Sequence, residues 1–235
     1  MKLYRLFFVI AIFLLLIGCM DGTQTDVEQD DTGSDTVEEE PADSESKEED
    51  EELAENEKEE KEVQEGERKP ETPEEAADEI VLAMDQKDMK KLASYVHPTK
   101  GVLFSPYAYV NVDEDKVFTA QEVEGLMDDE TIYTWGVFDG KGNPIEMTFA
   151  DYFDRFIYDE AYVDAEEKSV NERIGQGNTI DNTEDIFPDA TVVEYHFSSI
   201  DPQYEGMDWR SLRLVLEEEN GEWFLVAIIH DEWTI

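Results

Sequence analysis

Leu212-Arg213-Leu214-Val215-Leu216-Glu217-Glu218-Glu219-Asn220-Gly221-Glu222-Trp223-Phe224-Leu225-Val226-Ala227-Ile228-Ile229 is the stretch that decides the fold. Asn220-Gly221 suits a type I′ turn, because both central residues of that turn need positive φ and its twist matches the flanking strands. The turn predicts a register pairing Glu219 with Glu222, Leu216 with Leu225, Leu214 with Ala227 and Leu212 with Ile229. His230 then falls opposite Ser211. In this register the three leucines share a face with Leu225, Ala227 and Ile229. The other face carries Arg213, Val215, Phe224, Val226 and Ile228. A last strand apolar on both sides belongs inside a sheet covered on both faces. Helices are expected on one side, and a long inserted segment or a second subunit on the other.

Upstream, Thr72-Pro73-Glu74-Glu75 opens a helix, with Thr72 as N-cap, Pro73 at the first position and Glu75 closing a capping box. Ala77, Ile80, Val81 and Met84 form its apolar face. Asp88 caps a second helix with Met89, Leu92, Ala93 and Val96 inside, ended by His97-Pro98. Val102-Leu103-Phe104 reads as a strand that Pro106 interrupts and Tyr107 to Val110 resumes. Thr119-Ala120-Gln121-Glu122 is another capping box, before Val123, Leu126 and Met127. Ile132 to Phe138 and Pro144 to Thr148 flank a turn at Asp139-Gly140-Lys141-Gly142-Asn143. Thr148 caps the most strongly patterned helix, with Phe149, Tyr152, Phe153, Phe156 and Ile157 in one stripe. Asp159 to Pro188 has no period and reads as a long insertion around Gly175-Gln176-Gly177. Thr191 to Phe197 is a strand.

This order of elements resembles the NTF2-like superfamily. So do Lys87-Asp88-Met89-Lys90-Lys91-Leu92 after an amphipathic helix and a closing strand that starts at Trp223. The resemblance covers residues 72–235. It implies an α+β cone, with N-terminal helices packed on a curved antiparallel sheet and a C-terminal β-hairpin. It also implies a concave pocket, which enzymes in that superfamily use and other members do not, so fold alone assigns no activity. His97-Pro98-Thr99-Lys100-Gly101-Val102, Asp208-Trp209-Arg210-Ser211-Leu212-Arg213 and His230-Asp231-Glu232-Trp233 look like recurrent text of uncharacterised bacterial lipoproteins, which implies no activity.

The chain has 235 residues with 62 acidic and 18 basic side chains, a net charge of −44. Such a charge excludes nucleic acid as a partner, since that binding needs Lys and Arg to release counterions from phosphates. The charge divides into +2 over residues 1–19, −19 over 20–71 and −27 over 72–235. Lys2 and Arg5 precede an unbroken apolar run, Leu6 to Ile17, of signal-peptide length. It ends in Leu16-Ile17-Gly18-Cys19, which resembles the lipobox of bacterial lipoproteins. That resemblance implies lipid attachment at Cys19, the chain's single cysteine, cleavage before it, and acylation of the new amino terminus by a fatty acid such as palmitate. Residues 20–71 carry no aromatic side chain and few aliphatic ones, so they are expected to be a disordered acidic tether.

Several constellations bear on chemistry. Asn111, Asp113, Asp115 and Glu122 have the spacing of a calcium loop, but Lys116 stands where such a loop needs glycine. The preferred reading is a turn followed by a helix cap, with no metal and no cofactor. His230 with Asp231, or His196 with Glu194, offers an acid/base pair, although adjacent strand residues point to opposite faces. Arg155, Arg173, Arg210 and Arg213 are the arginines of the globular part. They are expected to pair with carboxylates, or, for Arg155 and Arg210, to face a bound anion. Tyr107, Tyr109, Arg155, Trp209, Arg210, His230 and Trp233 are the candidate pocket.

The expected protein is therefore a lipid-anchored module on the extracytoplasmic face of the bacterial cell membrane. Its role is non-catalytic binding of an envelope ligand or protein. The alternatives are a small hydrolase or isomerase with a carboxylate or histidine in the cone, and a calcium-responsive surface module.

Overall fold

The structure is a computed structural model that describes residues 69–234. The signal segment, Cys19 and all but the last three residues of the tether (69–71) lie outside the described residues.

Helix α1 (Pro73–Asp85) starts at Thr72, whose hydroxyl accepts the Glu75 N–H. The expected box does not close, because the Glu75 carboxylate takes the Glu71 N–H instead of that of Thr72. Helix α2 (Met89–Tyr95) is capped by Asp88. Strand β1 (Val102–Ser105) follows and is buried throughout. Tyr107 to Val110 does not resume it. Pro106 offers no N–H, and the Ser105 hydroxyl binds the carbonyls of Tyr107 and Tyr109, which bends the chain. Strand β2 (Lys116–Phe118) pairs back on β1 instead. Gly101 permits this return, since its φ is +72° and a Cβ there would lie 2.5 Å from the Phe118 carbonyl oxygen.

Helix α3 (Ala120–Gly125) has the full Thr119/Glu122 capping box. Strands β3 (Tyr133–Val137) and β4 (Pro144–Met147) form a separate hairpin. Helix α4 (Phe149–Phe156), capped by Thr148, buries its whole aromatic stripe. Strands β5 (Glu167–Val170), β6 (Thr191–Phe197), β7 (Arg210–Glu219) and β8 (Glu222–Glu232) complete the main sheet, and a short helix α5 (Thr183–Ile186) lies between β5 and β6.

The main sheet has the order β2-β1-β8-β7-β6-β5. It is α+β as expected, with β8 interior, but mixed and not wholly antiparallel. Strand β1 runs parallel to β8, Leu103 beside Ala227 and Ser105 beside Ile229. Parallel neighbours need a long crossover, and nearly the whole domain separates these two strands.

The terminal hairpin keeps its predicted pairs from Glu219/Glu222 to Leu216/Leu225. Beyond them a β-bulge at Val226 shifts the register by one. Val215 faces Ala227, Leu214 faces Ile228, Leu212 faces His230, and Ser211 faces Asp231. A one-residue slip moves every later side chain to the other face of the sheet. Leu212, Leu214 and Leu216 therefore share the helix-side core with Leu225 and Ile228. Val215, Val226, Ala227 and Ile229 pack on the opposite face. Ile186 and Phe187 of the inserted segment pack against that face, with Ala190 and, from the following strand, Val192 beside them.

The helix-side interior is filled with rings. Phe104, Trp135, Phe149, Tyr152, Phe153 and Phe156 are wholly buried. Trp135 stacks on Tyr152 with ring centroids 4.0 Å apart, and its indole N–H donates to the Met147 carbonyl at 3.0 Å.

Candidate functional site

The bulge places His230 and Glu232 on the helix side, at the end of the sheet. His230 is wholly buried. Its Nδ1 lies 3.2 Å from the Pro106 carbonyl oxygen, and its Nε2 lies 3.2 Å from Asp159 Oδ2. Asp159 also accepts from Arg210 Nε at 2.8 Å and from the Tyr162 hydroxyl at 2.9 Å. Glu232 lies 2.6 Å from Arg155 and 3.3 Å from Arg210. The Arg155 guanidinium rests over the Phe156 ring, 4.4 Å from its centroid. Arg155, Arg210 and His230 thus lie together, each held by a carboxylate. The anion reading of Arg155 and Arg210 is replaced by these pairs.

Burial alone would raise the pKa of Asp159. The His230 ring, the Tyr162 hydroxyl and Arg210 outweigh burial and hold the carboxyl well below the usual range. Such a carboxylate is a poor general base, because its affinity for a proton is too low near neutrality. The depressed pKa also fixes a sign. The stability that Asp159 contributes is complete above its unfolded pKa of about 3.9 and is lost as pH falls through the folded value. Asp159→Asn is therefore expected to be less stable than the wild type at pH 7, with the gap narrowing towards pH 3. Urea midpoints between those limits measure it, and a gap independent of pH would contradict the assignment.

Asp231 points to the other face, so His230 and Asp231 do not share a site. Asp231 is wholly buried and binds Arg213, and Arg173 at 2.8 Å. Arg213 also donates to Asp181 at 2.9 Å. Burial raises Asp231 above the ordinary carboxyl range, even though both arginines pull it down. Beside this network, Glu194 accepts from the Ile174 and Gly175 amides at 2.9 and 2.8 Å and from the Ser211 hydroxyl at 2.6 Å. His196 Nδ1 lies 2.8 Å from the same hydroxyl. Ser211 separates His196 from Glu194, so they are no direct acid/base pair, and the carboxylate ties the inserted segment to the sheet. The two glycines of Gly175-Gln176-Gly177 let the chain cross Trp209 closely. A Cβ on Gly175 would sit 2.6 Å from the indole, and one on Gly177 3.1 Å. Trp209 is thus buried under the insertion, on the face opposite His230, and Trp233 is partly exposed.

Tyr107 and Tyr109 line a cleft of about 250 Å³ between the 106–115 segment and the β3–β4 hairpin. The Tyr107 ring also packs on Phe156, which links the cleft to the buried ion pairs behind it. Glu114, Asp115 and Asp139 line the same cleft. Burial pushes the Asp115 carboxyl up to about 6, against the Asn111 amide and the Ser105 hydroxyl, which favour its ionised form. Burial likewise raises the Tyr107 hydroxyl.

The calcium-loop oxygens do not converge. Asn111 Oδ1 accepts from the Asp113 N–H, Asp115 from the Asn111 N–H, and Glu122 from Thr119. Among the described residues no three His, Cys, Asp or Glu side chains are grouped to hold a metal ion.

The structure sets Arg155, Arg210 and His230, singled out from the sequence, beside Asp159 and Glu232, and Tyr107 and Tyr109 beside Asp139, three carboxylates that the sequence did not single out. With 62 acidic residues in the chain, no local signal separates a carboxylate that pairs across the fold from one that only solvates a surface.

No protein-family model matches the chain. No curated protein matches it either. Several solved structures resemble it, two of them as follows. One is a crystal structure from Xanthomonas campestris named for a calcium/calmodulin dependent protein kinase II association domain. It is 15% identical, with a TM-score of 0.29, covering 67% of this chain and 82% of that one. The other is an NTF2-like protein of unknown function from Shewanella baltica OS155. It is 11% identical, with a TM-score of 0.23, covering 68% and 94%. Likenesses this slight carry no argument, and the α+β assignment stands on the strand order and pairings described above.

Proposed function

We propose that the protein is a lipid-anchored module of the bacterial cell envelope, exposed on the extracytoplasmic face of the membrane. Cys19 carries the lipid, and the acidic residues 20–71 hold an NTF2-like cone away from the bilayer. The anchor rests on Lys2 and Arg5, the apolar run to Ile17, and Gly18-Cys19. Two or three acyl chains are enough for stable attachment, at about 0.8 kcal/mol per buried CH₂.

The domain's role in this reading is non-catalytic binding of a ligand or envelope partner. One observation carries that choice. The carboxylate nearest the buried histidine, Asp159, already accepts from Arg210 and Tyr162 as well as facing His230. It acts as a structural counter-ion, and rings fill the interior in front of it. Accessible concave surfaces among the described residues include the tyrosine-lined cleft and a pocket of about 450 Å³ at the inserted segment, lined by Arg173, Asp181 and Phe187 among others.

Cys19→Ala is expected to move the protein from the membrane fraction to the soluble or secreted fraction. Fractionation of cells carrying either form measures this, and a variant that stays fully membrane-bound would sink the anchor assignment.

A further inference from the structure

We propose that the cavity of about 450 Å³ at the inserted segment binds a stretch of polypeptide, through one uncharged backbone amide and one aliphatic side chain. This deepens the ligand-binding reading above and rests on it. The volume is that of a small-ligand pocket, and its walls are held in place. The Asn171 N–H donates to the Val192 carbonyl at 2.8 Å, and the Asn171 side chain accepts the Val192 N–H at 2.9 Å. Asp181 accepts from the Thr183 hydroxyl at 2.6 Å and from Arg213 at 2.9 Å. Phe187, Pro188, Ala190 and Val192 give the lining an apolar part.

Arg173 supplies the polar contact. It lines the cavity itself, with 23% of its side chain exposed. Among the described residues both of its hydrogen bonds use Nη2, to Asp231 at 2.8 Å and to the Thr179 carbonyl at 3.5 Å. Its Nε is buried with no hydrogen-bond partner, and Asp181 Oδ2 lies 3.8 Å away. A buried donor left unpaired is costly, so this guanidinium has capacity for a further acceptor. The surrounding charges decide which acceptor. Glu172 and Glu184 are exposed at the cavity, and their carboxylates repel an anion. Arg173 repels a cation seated against it. An amide carbonyl accepts strongly and carries no net charge. Beside the apolar lining, an amide with an aliphatic side chain is the repeating unit of a polypeptide. A sugar amide fits less well, because its hydroxyls would lie against apolar side chains without partners.

The test is amide hydrogen exchange, read by mass spectrometry on the full chain in detergent, with N-acetyl-leucine amide as probe. Saturable protection is expected at residues 171–174 and 182–192. Arg173→Met should raise the half-saturating concentration by about tenfold, the loss of one charge-assisted hydrogen bond. Because Arg173 also holds Asp231, exchange in β7 and β8 reports whether that variant keeps its fold. Pro188→Ser, at an exposed position, removes part of the apolar lining and should raise the value without that risk.

Three further probes fix the class. N-acetyl-leucine adds a carboxylate and leucine amide an ammonium group, and both should need higher concentrations. Glu172→Gln/Glu184→Gln should lower the concentration that N-acetyl-leucine needs, whereas Glu74→Gln/Glu124→Gln removes the same charge elsewhere and should not. Tighter binding of either charged probe would overturn the uncharged class, and tighter binding of N-acetylglucosamine would overturn the polypeptide. Absence of protection at 171–174 and 182–192, or an equal half-saturating concentration in both single variants, would overturn the site itself. In that case saturable protection elsewhere leaves the ligand-binding reading standing, and its absence everywhere counts against that reading as well.

Discussion

Arg213→Met is expected to lower the unfolding free energy by about 3–5 kcal/mol, the range found when one partner of a buried ion pair is removed. Arg213 is 1% exposed and holds both Asp231 and Asp181. Methionine fills much of the same volume, so the loss comes from charge and not from a cavity. Asp231, wholly buried and already raised by burial, would keep only Arg173. The loss should therefore be larger at pH 8 than at pH 5, where the carboxyl can protonate and shed its unpaired charge. Arg213→Met/Asp231→Leu should recover most of the loss, because a buried pair replaced by apolar groups costs little. Urea denaturation of the two single variants and the double variant gives the coupling. A single-variant loss below about 1 kcal/mol, or a double variant no better than the single, would show that the network carries little of the stability.

Trp135→Ala is expected to cost a similar amount, about 3–5 kcal/mol, by the different route of an unfilled cavity. The indole is wholly buried, stacks on Tyr152 and meets Phe104, Phe118, Tyr133 and Phe149. Its loss removes the transfer energy of the ring and leaves the Met147 carbonyl without its donor. Rings held on four elements cannot collapse into the gap without moving those elements. The urea midpoint should fall with an unchanged denaturant slope. A loss under about 1.5 kcal/mol would mean that the aromatic interior repacks freely. Trp135→Phe, which keeps an aromatic face towards Tyr152, should cost clearly less.

The two predictions rest on parts of the fold that differ in how visible they were. The aromatic interior was open to reading. Thr148 as N-cap and the spacing from Phe149 to Ile157 give a helix with one buried face, since capping and helical period are local properties of the chain. The strands Ile132 to Phe138 and Thr191 to Phe197, the Asn220-Gly221 turn and the first pairs of the hairpin are local in the same sense. Strand β2, only three residues long and opening on Lys116, had no such signature, and β5 forms only because β6 presents an edge to pair with. Tyr107 to Val110 has strand-forming side chains, but Pro106 and the Ser105 hydroxyl bend it away.

The candidate site was legible only in part, and Val226 is the reason. The turn sets the register up to Leu216 and Leu225, and the alternation in Leu225-Val226-Ala227-Ile228-Ile229 fits either register beyond, because nearly every residue there is apolar. Only packing decides. The slip puts Ile228 with the leucines, turns His230 towards Asp159, and sends Asp231 to Arg213 and Arg173. The sequence by itself determined helices α1 to α4, most strands, the interior position of the last strand and the uneven acidity of the chain, but not α5 within the aperiodic insertion. These follow from period, capping and composition, which act over a few residues. The tertiary structure decided the bulge, the parallel β1–β8 pairing and the partner of each buried charge. Those depend on contacts between residues far apart in the chain, where one extra residue in a strand reverses the face of everything that follows it.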